Sequence, residues 1–339
     1  MNATAITIES PLSSRIKAWM DERFPFVNAL LFFILYLTAA VLARYSSTDG
    51  EVSLALADVA GCLVTWSFFL VVRIFDEHKD YDLDVLNHPQ RVLQSGLITL
   101  KHLKGLALAA IVLQIIYSFA IDRLQFGNSS FLGSASLLES PPLIGSTLTA
   151  WMLVFGWTCL MGKEFFCGEW LEKRLTLYAF SHMLIMFFMV WWLVQMGNPG
   201  TPLSNEVIAL GVLAFISGFA FEITRKTRGP EEERDTVDSY SRIFGAKGAA
   251  IIVILLVLGM IGTQCFIIYQ IGGADYWPAL VVLLAILVLC LKSLLRFINE
   301  PSEKGREKNE MAVALVTLLG YIVLIVSVFV NRGITFTLM

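Results

Sequence analysis

Nine apolar stretches, each near the length that crosses a bilayer, dominate this chain. They run about 26–44, 53–75, 102–122, 141–161, 175–196, 205–222, 247–271, 276–297 and 311–330. A helix needs about 20 mostly apolar residues to span the hydrocarbon layer. Inside that layer the backbone must satisfy its own hydrogen bonds, so such stretches fold as helices. The breaks between them are turn-like: Ser46–Gly50, Gly127–Ser130, Gly197–Pro202 and Gly272–Asp275. Only 16% of the 339 residues are charged, against roughly a quarter in soluble domains. The expected fold class is all-α, a polytopic membrane protein. Residues 1–25 form a cytoplasmic N-terminal segment and 26–332 a single nine-helix transmembrane domain.

The breaks fall into two alternating sets. One set is basic, with Arg15, Lys17 and Arg23, then Arg73 to Lys104, Lys163 to Arg174, Arg225 to Lys247, and Lys292 to Lys308. The other holds little beyond Arg44, Arg123 and Arg332. Positive charge is retained on the cytoplasmic side. The N-terminus is therefore expected inside and the C-terminus outside, in a bacterial-type cytoplasmic membrane. The first residues lack the short apolar core and small-residue cleavage site of a signal peptide. A net charge of −3 gives no basis for a nucleic-acid partner. Cys62, Cys159, Cys167, Cys265 and Cys290 have no metal-ligand spacing and read as reduced packing residues.

Two cytoplasmic segments carry the charge. The first reads Arg73-Ile-Phe-Asp76-Glu-His-Lys-Asp80-Tyr-Asp-Leu-Asp84, and Pro89, Arg91 and Gly96 follow. Asp76, Asp80 and Asp84 stand at i, i+4 and i+8, near one face of a helix. Like charges at that spacing repel, so the row points to neutralising cations. The second segment runs from Glu222 through Arg225, Lys226 and Glu231–Asp235 to Ser239 and Gly245. Asp58 lies about 27 Å of helix before Asp76 and belongs to the opposite interface.

The first segment resembles the first motif of the UbiA superfamily of intramembrane prenyltransferases, Asn-x3-Asp-x3-Asp followed by Pro, Arg-Pro and Gly. Asp80 and Asp84 match its aspartates, and Pro89, Arg91 and Gly96 match at the same offsets. Asp76 replaces the Asn and Val92 the second Pro. In the second segment Ser239 and Gly245 fit the Thr and Gly of the second motif, but its aspartate pair is not kept. Glu232 stands at one of those positions and Arg228 at the other. Glu222 and the cluster Glu231–Asp235 remain as alternative carboxylates.

The resemblance implies a helical bundle around a central cavity open to the cytoplasm and laterally to lipid. It implies an isoprenyl diphosphate substrate and Mg2+. Asp76, Asp80, Asp84, Glu222, Glu232 and Asp235 are then the metal candidates, the first four being the catalytic set. Arg73, Arg91, Lys163, Arg174, Arg225 and Lys226 are the diphosphate candidates. Phe69, Trp157, Tyr178 and His182 are candidates for the prenyl tunnel or the acceptor. The expected activity is prenyl transfer to an aromatic or lipophilic acceptor. A terpene cyclase of the same superfamily, which needs no acceptor, is the alternative. A carrier fits poorly, because carriers place ionisable residues near the midplane and these acids sit at helix ends.

Overall fold

The computed structural model describes residues 6–127, 145–234 and 238–337. In chain order the helices are α1 (Leu12–Arg23), α2 (Ala29–Ser47), α3 (Leu56–Lys79), α4 (Tyr81–Asn87), α5 (Leu100–Phe126), α6 (Thr147–Gly162) and α7 (Gly168–Glu172). Then come α8 (Leu175–Met183), α9 (Ile185–Gly197), α10 (Asn205–Arg225), α11 (Tyr240–Gly272), α12 (Trp277–Asn299) and α13 (Glu303–Arg332). Two four-residue strands, β1 (Val52–Ala55) and β2 (Ile334–Thr337), pair in parallel with Val52 opposite Ile334. They tie the α2–α3 connection to the end of α13.

Among the described residues eight helices, or helix pairs, are long and apolar enough to cross a membrane. The fold is therefore all-α and that of an integral membrane protein, but nine full spans are not found. The fourth expected span, 141–161, is represented by α6, which has 16 residues, about 24 Å of helix. Residues 141–144 lie outside the described residues. The fifth span is two helices, because Leu184 interrupts the pattern between α8 and α9.

Two apolar cores organise the bundle. The larger packs α2, α9, α10, α11 and α13 around Tyr36, Phe68 and Trp192, each almost fully buried. The smaller joins α1, α3 and α5 through Trp19, Phe24, Leu70, Ile74, Leu93, Ile98 and Leu103. The second core matters most for the charged end of α3, because it seats α1 and the chain after α4 against that end.

At the other end of α3 the buried Asp58 accepts from Arg44 at 2.7 and 2.8 Å and from the Tyr36 hydroxyl at 2.9 Å. This places Asp58 in a structural clamp away from the ladder, as expected.

Candidate functional site

The helix that carries the ladder bends but does not break. Helix α3 ends at Lys79, Asp80 is the hinge residue, and α4 begins at Tyr81. The Asp80 amide donates to the Asp76 carbonyl at 2.9 Å, and the Asp84 amide to the Asp80 carbonyl at 2.8 Å. The i, i+4, i+8 register of the three aspartates therefore survives the bend. Their side chains differ in setting: Asp76 is about half exposed at 51%, while Asp84 keeps 15%.

Basic residues interleave with these acids. Arg91 reaches Asp84 at 2.7 Å and Arg23 reaches the same oxygen at 3.5 Å. Arg73 lies 3.9 Å from Asp76 and pairs with Glu77 at 2.5 Å. Glu77, not singled out from sequence, has no exposed side-chain surface and also takes Arg23 at 2.6 Å. Its position was legible: Leu70, Ile74 and Glu77 fall on one helical stripe, so the acid enters the core and needs partners there. Asp80 titrates above the ordinary carboxylate range. Burial is the chief cause, and the charges of Asp84 and Glu77 add to it against Lys79 and Arg23.

The connection between α6 and α7 closes against this end of α3. Lys79 forms an ion pair with Glu164 and donates to the Tyr178 hydroxyl at 2.5 Å. Tyr178 stacks on His182 at 4.0 Å, and Phe165 meets the His182 ring edge-on at 5.7 Å. The His182 Nδ1 donates to the Tyr178 carbonyl at 2.8 Å, which leaves Nε2 as the ring nitrogen with a lone pair. Trp157 packs on Phe165 and Phe188, and its indole nitrogen is buried without a partner among the described residues. Phe69 stacks on Phe32 at 3.8 Å. Glu164, Phe165 and Phe166 take φ of 48°, 54° and 58°, a run of left-handed backbone that non-glycine residues rarely adopt. Such strain persists only where surrounding contacts hold it, and the Lys79–Glu164 pair is one of those contacts.

Helix α10 brings the second charged group. Glu222 pairs with Arg225 at 2.7 Å and Lys226 at 2.8 Å. Arg225 is close enough to Asp76, and Glu222 to His182, for their charges to interact. The charged ends of α3, α8 and α10 thus share one electrostatic neighbourhood. Lys163 is exposed at the end of α6. Arg174 lies over the Trp170 ring at 4.2 Å and donates to the Trp170 carbonyl.

The acidic run after α10 is engaged elsewhere. Glu231 accepts from the Glu303 amide at 2.5 Å, and Glu232 pairs with Arg306 of α13 at 2.7 Å. Glu233 accepts from Ser239 and Ser241. Glu232, expected as a metal ligand, is here a loop anchor, because the loop's own amides and Arg306 need its charge. Asp235 lies outside the described residues. Ser239 caps α11 by accepting from the Arg242 amide. Gly96 and Gly245, the glycines of the two motif-like segments, adopt φ of 81° and 71°, which explains glycine at both positions.

Two apolar cavities of about 560 and 440 Å3 lie between α11 and α12 and between α10 and α11. Neither is lined by the acidic ladder, so neither is the central cavity the resemblance implied.

No family model matches the chain. It is 24% identical over 316 residues to digeranylgeranylglyceryl phosphate synthase of Methanobrevibacter smithii, covering 89% of this chain and 95% of that protein. A solved structure, described as giving structural and mechanistic insights into the biosynthesis of digeranylgeranylglyceryl phosphate synthase in membranes, superposes with a TM-score of 0.59. It is 15% identical and covers 93% of this chain and 99% of its own. The chain has the fold of digeranylgeranylglyceryl phosphate synthase. That synthase is a UbiA-superfamily prenyltransferase, and the likeness to it extends over nearly the whole chain.

Proposed function

We propose that the protein is an intramembrane prenyltransferase that ionises an isoprenyl diphosphate with magnesium and joins the prenyl group to a lipophilic acceptor. The observation that carries this reading is the acidic face of Asp76, Asp80 and Asp84. It continues through the α3–α4 bend with arginines at 2.7 to 3.9 Å around it.

The donor set fits a hard cation, since it offers carboxylate oxygens alone. Among the described residues no three acids converge into a closed cage. That suits magnesium, which keeps waters and is held by one or two carboxylates together with substrate phosphate. Asp76, Asp80, Asp84 and Glu222 are the carboxylates from which one or two would hold it together with the substrate phosphate. Bound there, magnesium supplies positive charge against the departing diphosphate.

The remaining work falls to the chain's own side chains. Arg73, Arg91, Arg225 and Lys226 bind and orient the phosphate oxygens, arginine through its planar fork. Lys163 and Arg174 approach from the connection between α6 and α8. Phe69, Trp157 and Phe165 provide apolar, water-poor walls and ring faces that favour a passing cation. His182, whose Nδ1 donates to the Tyr178 carbonyl, presents Nε2 to accept the proton that the acceptor hydroxyl releases. The relative, by its name, makes a glyceryl phosphate carrying two geranylgeranyl groups. An alcohol of a lipid, rather than an aromatic ring, is therefore the acceptor class favoured here. The N-terminus and the site face the cytoplasm, in keeping with the basic breaks.

Purified protein with geranylgeranyl diphosphate and magnesium should release diphosphate and form an ether only when a geranylgeranylglyceryl phosphate acceptor is present. A cyclic hydrocarbon or terpene alcohol formed without acceptor would replace transfer by cyclisation. If Asp80→Ala and Asp84→Ala both left diphosphate release intact, the ladder would not be the ionising site.

A further inference from the structure

Helix α1 precedes the first membrane span, yet it is built into the acidic end of α3. Trp19 is fully buried in the second core. Arg15 donates to the Leu97 carbonyl at 2.9 Å, and the Glu22 carboxylate accepts from the Val92 amide at 2.9 Å. Both bonds grip the chain that follows α4. Arg23, the last residue of α1, then reaches across the bend. Its Nε donates to Glu77 on α3 at 2.6 Å, and its Nη2 lies 3.5 Å from Asp84 on α4. One guanidinium therefore contacts acids on both sides of the hinge at Asp80.

We infer that Arg23 is a positioning residue for the acidic face, because its guanidinium spans Glu77 and Asp84 and fixes the bend that keeps Asp84 in register with Asp76 and Asp80. The inference rests on the proposed function for the identity of what the face binds. Glu77 is the anchor, since it is wholly buried and shared by Arg23 and Arg73. With one end of the guanidinium fixed on Glu77, the other shares the Asp84 oxygen that Arg91 holds at 2.7 Å, and so ties that carboxylate to α3. Lysine has a single charged nitrogen and no planar fork, so it cannot set separate nitrogens on the two acids. Residues that orient metal ligands from behind change metal affinity by roughly 10- to 100-fold when removed.

The test is Mn2+ binding to the full-length protein in lipid nanodiscs, read by electron paramagnetic resonance with inorganic diphosphate present. The magnesium dependence of diphosphate release and thermal unfolding are measured alongside. Arg23→Lys should fold, keeping a charge beside Glu77, and yet bind Mn2+ about tenfold more weakly. Its half-saturating magnesium should rise in parallel, with a smaller change in the rate at saturating metal. Arg23→Ala should show the same shift with lower thermal stability. Lys17→Ala, on the solvent side of the same helix and paired among the described residues with the exposed Asp21, should change neither reading. The inference is overturned if Arg23→Lys binds Mn2+ as tightly as wild type, or if its activity falls only in proportion to folded protein. Absence of Mn2+ binding to wild type would instead remove the metal reading of the ladder, and the inference with it.

Discussion

Glu77→Gln isolates the buried charge that holds the end of α3. The glutamine has nearly the same shape, so the change removes charge and not volume. It leaves Arg23 and Arg73 facing a neutral amide in a place where Glu77 itself has no exposed surface. Removing one partner of a buried ion pair costs about 3–5 kcal/mol, since the remaining charge stays desolvated. Both arginines keep some access to water, 19% and 24% of their side-chain surface, which argues for the lower end. A loss of about 3 kcal/mol lowers the folding equilibrium constant about 150-fold. The comparison is Asp21→Asn, which breaks the Lys17–Asp21 pair where the side chains are 74% and 62% exposed. A surface pair of that kind contributes about 0–1 kcal/mol. Reversible unfolding in mixed micelles, with increasing anionic detergent, measures both variants on one scale. Adding Arg73→Met to Glu77→Gln should recover part of the loss, because replacing both partners removes the uncompensated charge. The reasoning is refuted if Glu77→Gln is no more costly than Asp21→Asn.

Three further outcomes follow from the same geometry. Asp80 must be ionised to hold a cation, and its folded-state titration lies above the ordinary value. The half-saturating magnesium concentration should therefore climb as pH falls, starting above the usual carboxylate range of about 4, and Asp80→Asn should flatten that component. In chelator the raised titration has the opposite reading: ionised Asp80 disfavours the folded state. Stability should then decline as pH rises from the unfolded value through the folded one, and a flat unfolding profile there would contradict it. Asp58→Asn strands Arg44 in its clamp and should destabilise by about 3 kcal/mol. Metal and donor dependence of the folded enzyme should stay unchanged, since Asp58 lies about 27 Å along the helix from the ladder. Glu222→Gln frees Arg225 and Lys226. A rise in half-saturating magnesium marks Glu222 as a ligand, whereas an unchanged metal requirement with altered donor KM marks it as an orienter of the two bases.

The spans were legible because hydrocarbon tolerates one local solution, the helix, and about 20 apolar residues announce it. The interruption at Leu184 was not, since neither glycine nor proline marks it and α8 and α9 read as one apolar run. The ladder's register was legible for the same reason as any helical face, and the backbone bonds through Asp80 preserve it. The role of α1 was hidden because Trp19 finds Leu93, Ile98 and Leu103 some eighty residues away. Glu231 and Glu232 were hidden in the same manner, their partners Glu303 and Arg306 lying beyond two more spans. Composition showed a charged loop. Only the return of α13 to that loop explains why its acids turn away from the ladder.

The bases around the ladder also bear on what the site will accept. Acids at i and i+4 repel one another, and here Arg91 and Arg23 stand at Asp84, Arg73 near Asp76, and Arg225 and Lys226 at Glu222. The helix end therefore folds with Asp84 and Glu222 already paired and Asp76 only loosely so. On the proposed reading, the arginines would pass from carboxylate to phosphate when the diphosphate arrives, which would free the carboxylates to hold a cation. Net affinity is then the difference between two sets of ion pairs, not the sum of the new ones. A ligand that breaks the old pairs must supply oxygens enough to replace them, or leave desolvated charges unpaired at about 1–3 kcal/mol each. A prenyl monophosphate has the same tail and fewer phosphate oxygens. It should therefore compete at least tenfold more weakly than the diphosphate in the presence of magnesium, measured as inhibition of diphosphate release. Equal competition would mean that the tail alone governs binding and that the arginines remain on their carboxylates throughout.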